Sequence, residues 1–361
     1  MMLVVPMIGE TRATLLLLTI LCSLLVSLPN IVAVRAAEDS WTTLEPSPTG
    51  FYRGAAVVDG KIYLVGSNIT AEYDSETNTW TAKAPPPIPN YWGTVVACQN
   101  KIYLIGGNAS KPTQVYDPAT DTWENRTSIP TTRSSLQANV VDNKIYVIGG
   151  QKLAGLGVIN PSNANDVYDP VTDSWSQMAP IPTPVMGYAS VVLDNKIYII
   201  SGGHTGGPDY KPIYQVQIFD PKMNQWTNGT PIPTGVAFAG ACATQGLLAP
   251  KRIYVIGGTT NYYFREGYSA RASVDLNQMY DPETRNWSEA ASMSTSRYGL
   301  TLVNLNDELY AIGDNYNEKY TPIDFILEFP SWAPLLVMLV VVLLLAVAYR
   351  HKLNKQRWRR F

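Results

Sequence analysis

Apolar and polar positions along the chain fall into short stretches separated by Gly, Asn, Asp and Pro, the pattern of strands joined by tight turns. One stretch repeats. Lys61-Ile62-Tyr63-Leu64-Val65-Gly66 returns as KIYLIGG at 101 to 107, KIYVIGG at 144 to 150, KIYIISGG at 196 to 203 and RIYVIGG at 252 to 258, and in weaker form as ELYAIGD at 308 to 314. Each copy predicts an apolar strand closed by glycine. Upstream lies a strand of small and apolar residues, such as Ala55 to Val58 or Ser190 to Leu193, joined to it by a hairpin turn such as Asp59-Gly60 or Asp142-Asn143. Downstream a third strand ends in an aromatic and an acid: Tyr73-Asp74, Tyr116-Asp117, Tyr168-Asp169, Phe219-Asp220 and Tyr280-Asp281. A polar turn then leads to Trp80, Trp123, Trp175, Trp226 and Trp287. Four strands repeating every ~40 to 60 residues predict the blades of a propeller.

The double glycine, the Tyr and the Trp in this order resemble the kelch repeat, over residues 38 to 322. The resemblance implies an all-β, six-bladed kelch-type β-propeller. Four units carry the double glycine in full, whereas the first has Gly66-Ser67 and the sixth Gly313-Asp314. The sixth also lacks its tryptophan, and Asp39-Ser40-Trp41 repeats the local text of Asp173-Ser174-Trp175. The N-terminal strand is therefore expected to complete the last blade and close the ring, leaving no lone edge. All six tryptophans read as packing rather than as ligand platforms.

The two ends read as addresses. Residues 1 to 36 carry Arg12, an apolar run from Leu15 to Val26 and small residues with Val34 and Ala36 before a cleavage site, the layout of a signal peptide. Residues 332 to 349 are free of charge and just long enough to cross a bilayer as a helix. Trp332 and Tyr349 bracket that run, a basic tail fills 350 to 361, and residues 323 to 331 form a stalk. The positive-inside rule places the tail in the cytoplasm and the propeller, 37 to 322, outside a cell membrane crossed once.

Composition and charge narrow the function. The formal charge of −2 conceals an acidic middle once the basic tail is set aside, which argues against nucleic acid as a partner. Cys98 and Cys242 read as small buried hydrophobes at equivalent strand positions three repeats apart. Sequons at Asn68, Asn108, Asn125, Asn228 and Asn286 are compatible with surface glycans.

In such blades the first-to-second and third-to-fourth turns share one face, and the second-to-third loops and blade links share the other. Turns on the first face read as uniformly tight, whereas Gln151 to Asn165, His204 to Gln215 and Thr259 to Asn277 on the second vary in length, marking it as the binding surface. Arg133 and Arg297 stand where kelch repeats commonly carry an arginine; the other units have Gly50, Asn90, Val185 and Gly235 there. With Tyr52, Arg53, Tyr91 and Trp92, and with Tyr262, Tyr263, Phe264, Arg265 and Tyr268 from the longest loop, they would form an aromatic and basic mouth suited to a sugar or carboxylate. The competing reading pairs the arginines with loop acids such as Asp209, Glu266 or Asp275.

Catalytic options are few. His204 is the one histidine of the exported part, which leaves no His-rich metal or copper centre, and no cofactor motif is present. The expected function is a binding module for a protein or glycan at the cell surface, working through the loop-rich face. The alternative is an extracytoplasmic carbohydrate-active enzyme, by analogy with the sialic-acid mutarotases that share a secreted six-bladed kelch ring.

Overall fold

The computed structural model describes residues 39–48, 52–107, 111–153, 159–204, 209–265 and 268–322, together with Val342 and Ala346. The 1–36 leader and the 332–349 span, Val342 and Ala346 apart, lie outside the described residues, and among those described no helix is long and apolar enough to cross a membrane.

Six antiparallel sheets of four strands carry the repeat. The innermost strands are Tyr52–Val58, Gly93–Cys98, Gln137–Val141, Ala189–Leu193, Gly240–Ala243 and Thr301–Leu305. They neighbour one another in cyclic order, and the last returns to the first. The glycine-closed strands are second, and the Tyr-Asp strands third. The outermost place of the sixth sheet is taken by Ser40–Thr43, which pairs Trp41 with Tyr320, as the repeated Asp-Ser-Trp text predicts.

The core lies between blades rather than within one. Tyr63 and Val65 of blade 1 pack with Ile102, Leu104 and Tyr116 of blade 2, and Tyr310 and Ile312 of blade 6 pack with Ile62 and Leu64 of blade 1. A sheet buried on both faces explains why the second strands are nearly continuous apolar runs. Each tryptophan ring lies against the aromatic of its own third strand, Phe219 in blade 4 and a tyrosine in the others, as in Tyr73–Trp80 at 4.8 Å. Its indole N–H reaches across to the link leaving the preceding blade, at 2.7 to 3.1 Å. The acceptors are the carbonyls of Ala291 for Trp41, Glu45 for Trp80, Ala84 for Trp123, Thr127 for Trp175, Ala179 for Trp226 and Thr230 for Trp287. The tryptophans thus stitch every blade to its neighbour, the closing pair included.

Glycine at the second position of the repeat has a geometric reason. Gly150, at φ 85°, donates its N–H to the Val185 carbonyl of the next blade, and a Cβ there would stand 2.7 Å from the Leu136 Cβ. Gly107, Gly202 and Gly258 donate in the same way to Arg133, Val236 and Arg297. This register corrects blade 4: Ser201-Gly202, not Gly202-Gly203, holds the double-glycine place, with Ser201 at φ 58°.

It also corrects blade 5. The turn after its innermost strand is not tight but runs through Gln245 to Pro250, so the spacing from the start of the blade to Arg252 is longer than in the other blades. Val236, not Gly235, is the equivalent of Arg133. Cys242 for the same reason is not the counterpart of Cys98: it pairs with Tyr254, whereas Cys98 pairs with Lys101. Cys98 is buried and both thiols are free.

The long loops of the other face are themselves ordered as strands. Asp209–Tyr210 of blade 4 pairs with Thr259–Arg265 of blade 5, which pairs with Tyr268–Ser273 to form a three-stranded sheet between two blades. A second such sheet joins Arg133–Ser134, Gln151–Leu153 and Ile159–Pro161.

Candidate functional site

The innermost strands wall a central channel of about 710 Å³, lined largely by small and apolar residues such as Ala55, Val57, Ala97, Ala138 and Ala241. At its loop-rich mouth the strands begin with a residue in the left-handed region: Trp92 (φ 66°), Ser135 (51°), Gly187 (57°), Phe238 (56°) and Gly299 (69°). From Ser135 onward each N–H donates to the carbonyl of the equivalent residue one blade earlier. Ser135 bonds Trp92 at 3.1 Å, Gly187 bonds Ser135 at 2.9 Å, Phe238 bonds Gly187 at 2.6 Å and Gly299 bonds Phe238 at 2.7 Å. A bulky residue in this region costs about 1–2 kcal/mol, so the backbone arc holds Trp92 and Phe238 in a conformation they would not choose alone.

Aromatic side chains gather at this mouth. Trp92 is half exposed and lines the channel, and Tyr91 beside it has the Lys111 ammonium 5.9 Å from its ring centre. Phe238 packs with Met186 and Ala237 and lies over Gly187, where any added Cβ would meet its ring at 2.8 Å. Asp314 stands on the same rim, and Tyr316, also exposed, lies 5.2 Å from the Arg297 guanidinium.

The arginines do not present themselves there. Arg133 is fully buried, with Nη1 2.8 Å from Asp166 Oδ2, and Arg297 is 2% exposed and paired with Glu318. Burial pushes both guanidinium pKa values down, against the opposing charges of Asp166 and Glu318. The partners are acids on third strands rather than the loop acids Asp209, Glu266 or Asp275. The expectation of Arg133 and Arg297 as ligand contacts therefore gives way to internal ion pairs.

The same place on the third strand is filled differently elsewhere. Gln114, Gln217 and Gln278 in blades 2, 4 and 5 each grip the entering link with both amide atoms. They accept from and donate to the backbone of Ile88 (3.0 and 2.8 Å), Thr183 (2.8 and 3.0 Å) and Thr234 (2.8 and 3.0 Å). Reading the sequence missed this set, although the signal was there: Gln, Asp or Glu stands two residues before the third-strand aromatic in five of the repeats.

The remaining candidates are located by their backbone. Tyr52 starts the first blade opposite Gly66, with a bulge at Arg53. Tyr263 and Arg265 lie in the hairpin of blade 5, Tyr263 paired with Asp209 and Arg265 with Tyr268. His204, exposed on the same face, has Nδ1 2.8 Å from the Pro184 carbonyl. Among the described residues no cluster of His, Cys, Asp or Glu could hold a metal ion. Among those lining the channel the carboxylate is Asp314, and burial pushes the Tyr188 phenol well above its ordinary range.

Comparison with known proteins agrees with this architecture. Kelch-like protein 40 of Xenopus laevis is 28% identical over 43% of this chain and 23% of its own length. Kelch-like protein 35 of Mus musculus is 28% identical over 82% of this chain and 41% of its own, and Beta-scruin of Limulus polyphemus 29% identical over 43% and 17%. The chain thus spans less than half the length of these curated relatives. A solved structure titled "Structure of YjhT" superposes with a TM-score of 0.62 over 78% of this chain and 95% of that one, at 18% identity, a likeness of fold. Residues 94–314 match the family model described as the KLHDC2/KLHL20/DRC7 Kelch-repeats domain, and the chain belongs to that kelch-repeat family.

Proposed function

We propose that this kelch propeller is a binding module held outside the cell membrane, taking a protein or glycan partner at the loop-rich mouth of its channel. The observation that carries the reading is the hydrogen-bonded arc of left-handed residues, which fixes Trp92, next in sequence to Tyr91, and Phe238, three blades away, at the channel rim. Backbone strain held by surrounding structure is a recurrent mark of a recognition site, and rigid aromatics lose little entropy on binding. The uncharged run at 332 to 349 and the basic tail after it support a single C-terminal span with the propeller outside. An isomerase reading needs an acid and a base within reach of one substrate; among the described residues lining the channel the one carboxylate is Asp314, which favours the binding reading.

The test is a glycan array together with cross-linking capture on the cells of origin, using the full chain in nanodiscs and Trp92→Ala beside it. Binding that is lost in Trp92→Ala and kept in Val171→Ser, on the opposite face, supports the site. Binding indifferent to Trp92, or none at all, would overturn it.

A further inference from the structure

The exposed large apolar side chains of the propeller divide by face. Among the described residues those on the loop-rich face are aromatic: Tyr91, Trp92, Tyr214 and Tyr316. Those on the turn face are aliphatic: Val171, Met223, Leu247 and Leu248, at 80, 59, 73 and 57% exposure. The aliphatic set is contributed by three successive blades, with Val171 and Met223 on the third-to-fourth turns of blades 3 and 4 and the two leucines on the lengthened turn of blade 5.

That turn is built rather than loose. Asp307, 2% exposed, reaches from blade 6 and accepts four backbone N–H groups from it: Gln245 at 2.6 Å on Oδ1, then Leu247 at 2.7 Å, Leu248 at 2.9 Å and Ala249 at 3.3 Å on Oδ2. Asn304 fixes the base of the turn by donating to the Ala243 carbonyl at 2.7 Å. A buried carboxylate therefore holds two leucines out in solvent, an arrangement that costs exposed apolar surface and that folding alone does not require.

The chain itself indicates what lies opposite. Ser40–Thr43 enters the ring from the turn face, and Tyr316–Thr321 leaves it on the same face. Nine residues, 323 to 331, then separate the propeller from the uncharged run at 332, a reach of at most ~30 Å when fully extended. We infer that the turn face docks on the lipid bilayer, with Leu247 and Leu248 as the inserted tip and Val171 and Met223 beside it. This inference rests on the reading of 332 to 349 as a membrane span.

The chemistry fits lipid better than a protein partner. Protein hot spots favour Trp, Tyr and Arg, and none of the exposed large side chains of this face is aromatic. Among the described residues its charges are largely matched in pairs, Lys61–Asp74, Lys101–Asp117, Lys144–Asp169, Lys196–Asp220, Lys251–Asp194 and Arg252–Asp281, so the face does not rely on anionic headgroups. The attraction is apolar and weak per residue. A short tether makes it an intramolecular event, so it needs little affinity of its own.

The experiment is site-directed spin labelling of the full chain reconstituted in phosphatidylcholine vesicles, with single labels at Leu247→Cys and, on the loop-rich face, at Tyr214→Cys. Flotation of the labelled chain with the vesicles after an alkaline wash is measured first. The expected result is flotation, loss of relaxation by an aqueous nickel chelate at 247 but not at 214, and gain of relaxation by lipid-dissolved oxygen at 247. Leu247→Asp with Leu248→Asp, labelled at Val171→Cys, is expected to return aqueous relaxation at 171 while the chain still floats. Flotation with 247 as open to nickel as 214, or shielded from nickel and oxygen alike, would overturn the docking and leave the anchor standing. Failure to float would overturn both.

Discussion

Blades 3 and 6 and blades 2, 4 and 5 solve one problem in two ways. In blades 2 to 6 the link entering the blade passes over the loop-rich end of the third strand, where its backbone is drawn away from water. In blades 2, 4 and 5 an amide side chain answers it directly, and Gln217 satisfies both the N–H and the carbonyl of Thr183 with a neutral group. In blades 3 and 6 the link carries Arg133 or Arg297, and the strand answers with Asp166 or Glu318. The neutral solution closes with two well-aligned hydrogen bonds. The charged one leaves Arg133 Nε and Asp166 Oδ1 without a hydrogen-bonding protein group, in a place where two ions have been stripped of water. The comparison teaches that the arginines of this repeat position belong to a two-residue code with the third strand, and that their presence marks how the blade is closed rather than where a ligand sits.

The comparison breaks most sharply if one ion is removed. Asp166→Ala leaves the Arg133 guanidinium buried without its partner, and the expected loss is about 3–5 kcal/mol of stability, measured by chemical denaturation of the purified chain. Gln114→Ala, which removes a neutral amide from the equivalent place, is expected to cost clearly less. Equal losses in the two variants would mean that the charge is not what distinguishes the blades.

Asp307 sharpens the contrast from the other side, being a buried carboxylate answered by backbone amides instead of a cation. Burial raises its pKa, but the four backbone donors outweigh that and hold it below the ordinary carboxylate range. Asp307→Ala is expected to cost about 2–3 kcal/mol and to free the 245–249 turn. Because the folded pKa is depressed, the contribution is complete above the unfolded value, ~4, and is lost as pH falls through the folded one. Hydrogen-exchange protection of Leu247 and Leu248 should therefore collapse at low pH ahead of that of the second strands. Protection that fell in step with those strands would show that Asp307 does not act locally.

Much of this was legible beforehand. The repeated apolar strand, the turn residues and the six tryptophans were enough to predict the sheets and the N-terminal strand beside Tyr320, because each rests on local periodicity. The alignment of blade 5 slipped where a turn changed length: with the Gln245 to Pro250 turn before Arg252, Gly235 was taken for the place that Val236 holds, and Cys242 for the counterpart of Cys98. The arginines were misplaced for a different reason. Their position along the strand was read correctly, but whether a long side chain turns to the channel or back into the blade depends on a residue more than twenty positions away, Asp166 for Arg133 and Glu318 for Arg297. The arc of left-handed residues was invisible because Trp, Ser and Phe carry no local signal for that conformation; the neighbouring blades impose it.

A smaller effect is expected where the neutral clasp is removed. Gln217→Leu preserves the volume but leaves the Thr183 amide and carbonyl unanswered, and about 2 kcal/mol should be lost. The loss should appear mainly as faster opening of the link into blade 4, read from exchange at Thr183. A variant as stable as the parent would mean that solvent already satisfies that backbone, and that the amide is ornament rather than closure.

The smallest net effect is predicted for the exchange of one solution for the other. Arg133→Val alone leaves Asp166 as a buried unpaired carboxylate and should be strongly destabilising, as Asp166→Gln alone should be for the guanidinium. Combined, Arg133→Val and Asp166→Gln reproduce the pair that blade 4 uses, Val185 with Gln217. Thr131 stands two residues before Arg133, as Thr183 stands two before Val185, so the new amide has a backbone unit at the same spacing to grip. The double variant should therefore fall within about 1 kcal/mol of the parent, giving a coupling energy of several kcal/mol across the cycle. Replacing a buried ion pair by neutral groups of matching shape is often without cost, and here the replacement also supplies hydrogen bonds that the ion pair lacks. A double variant as unstable as the sum of its parts would show that blade 3 requires its charges, and that the two sets of blades are not interchangeable answers to one structural demand.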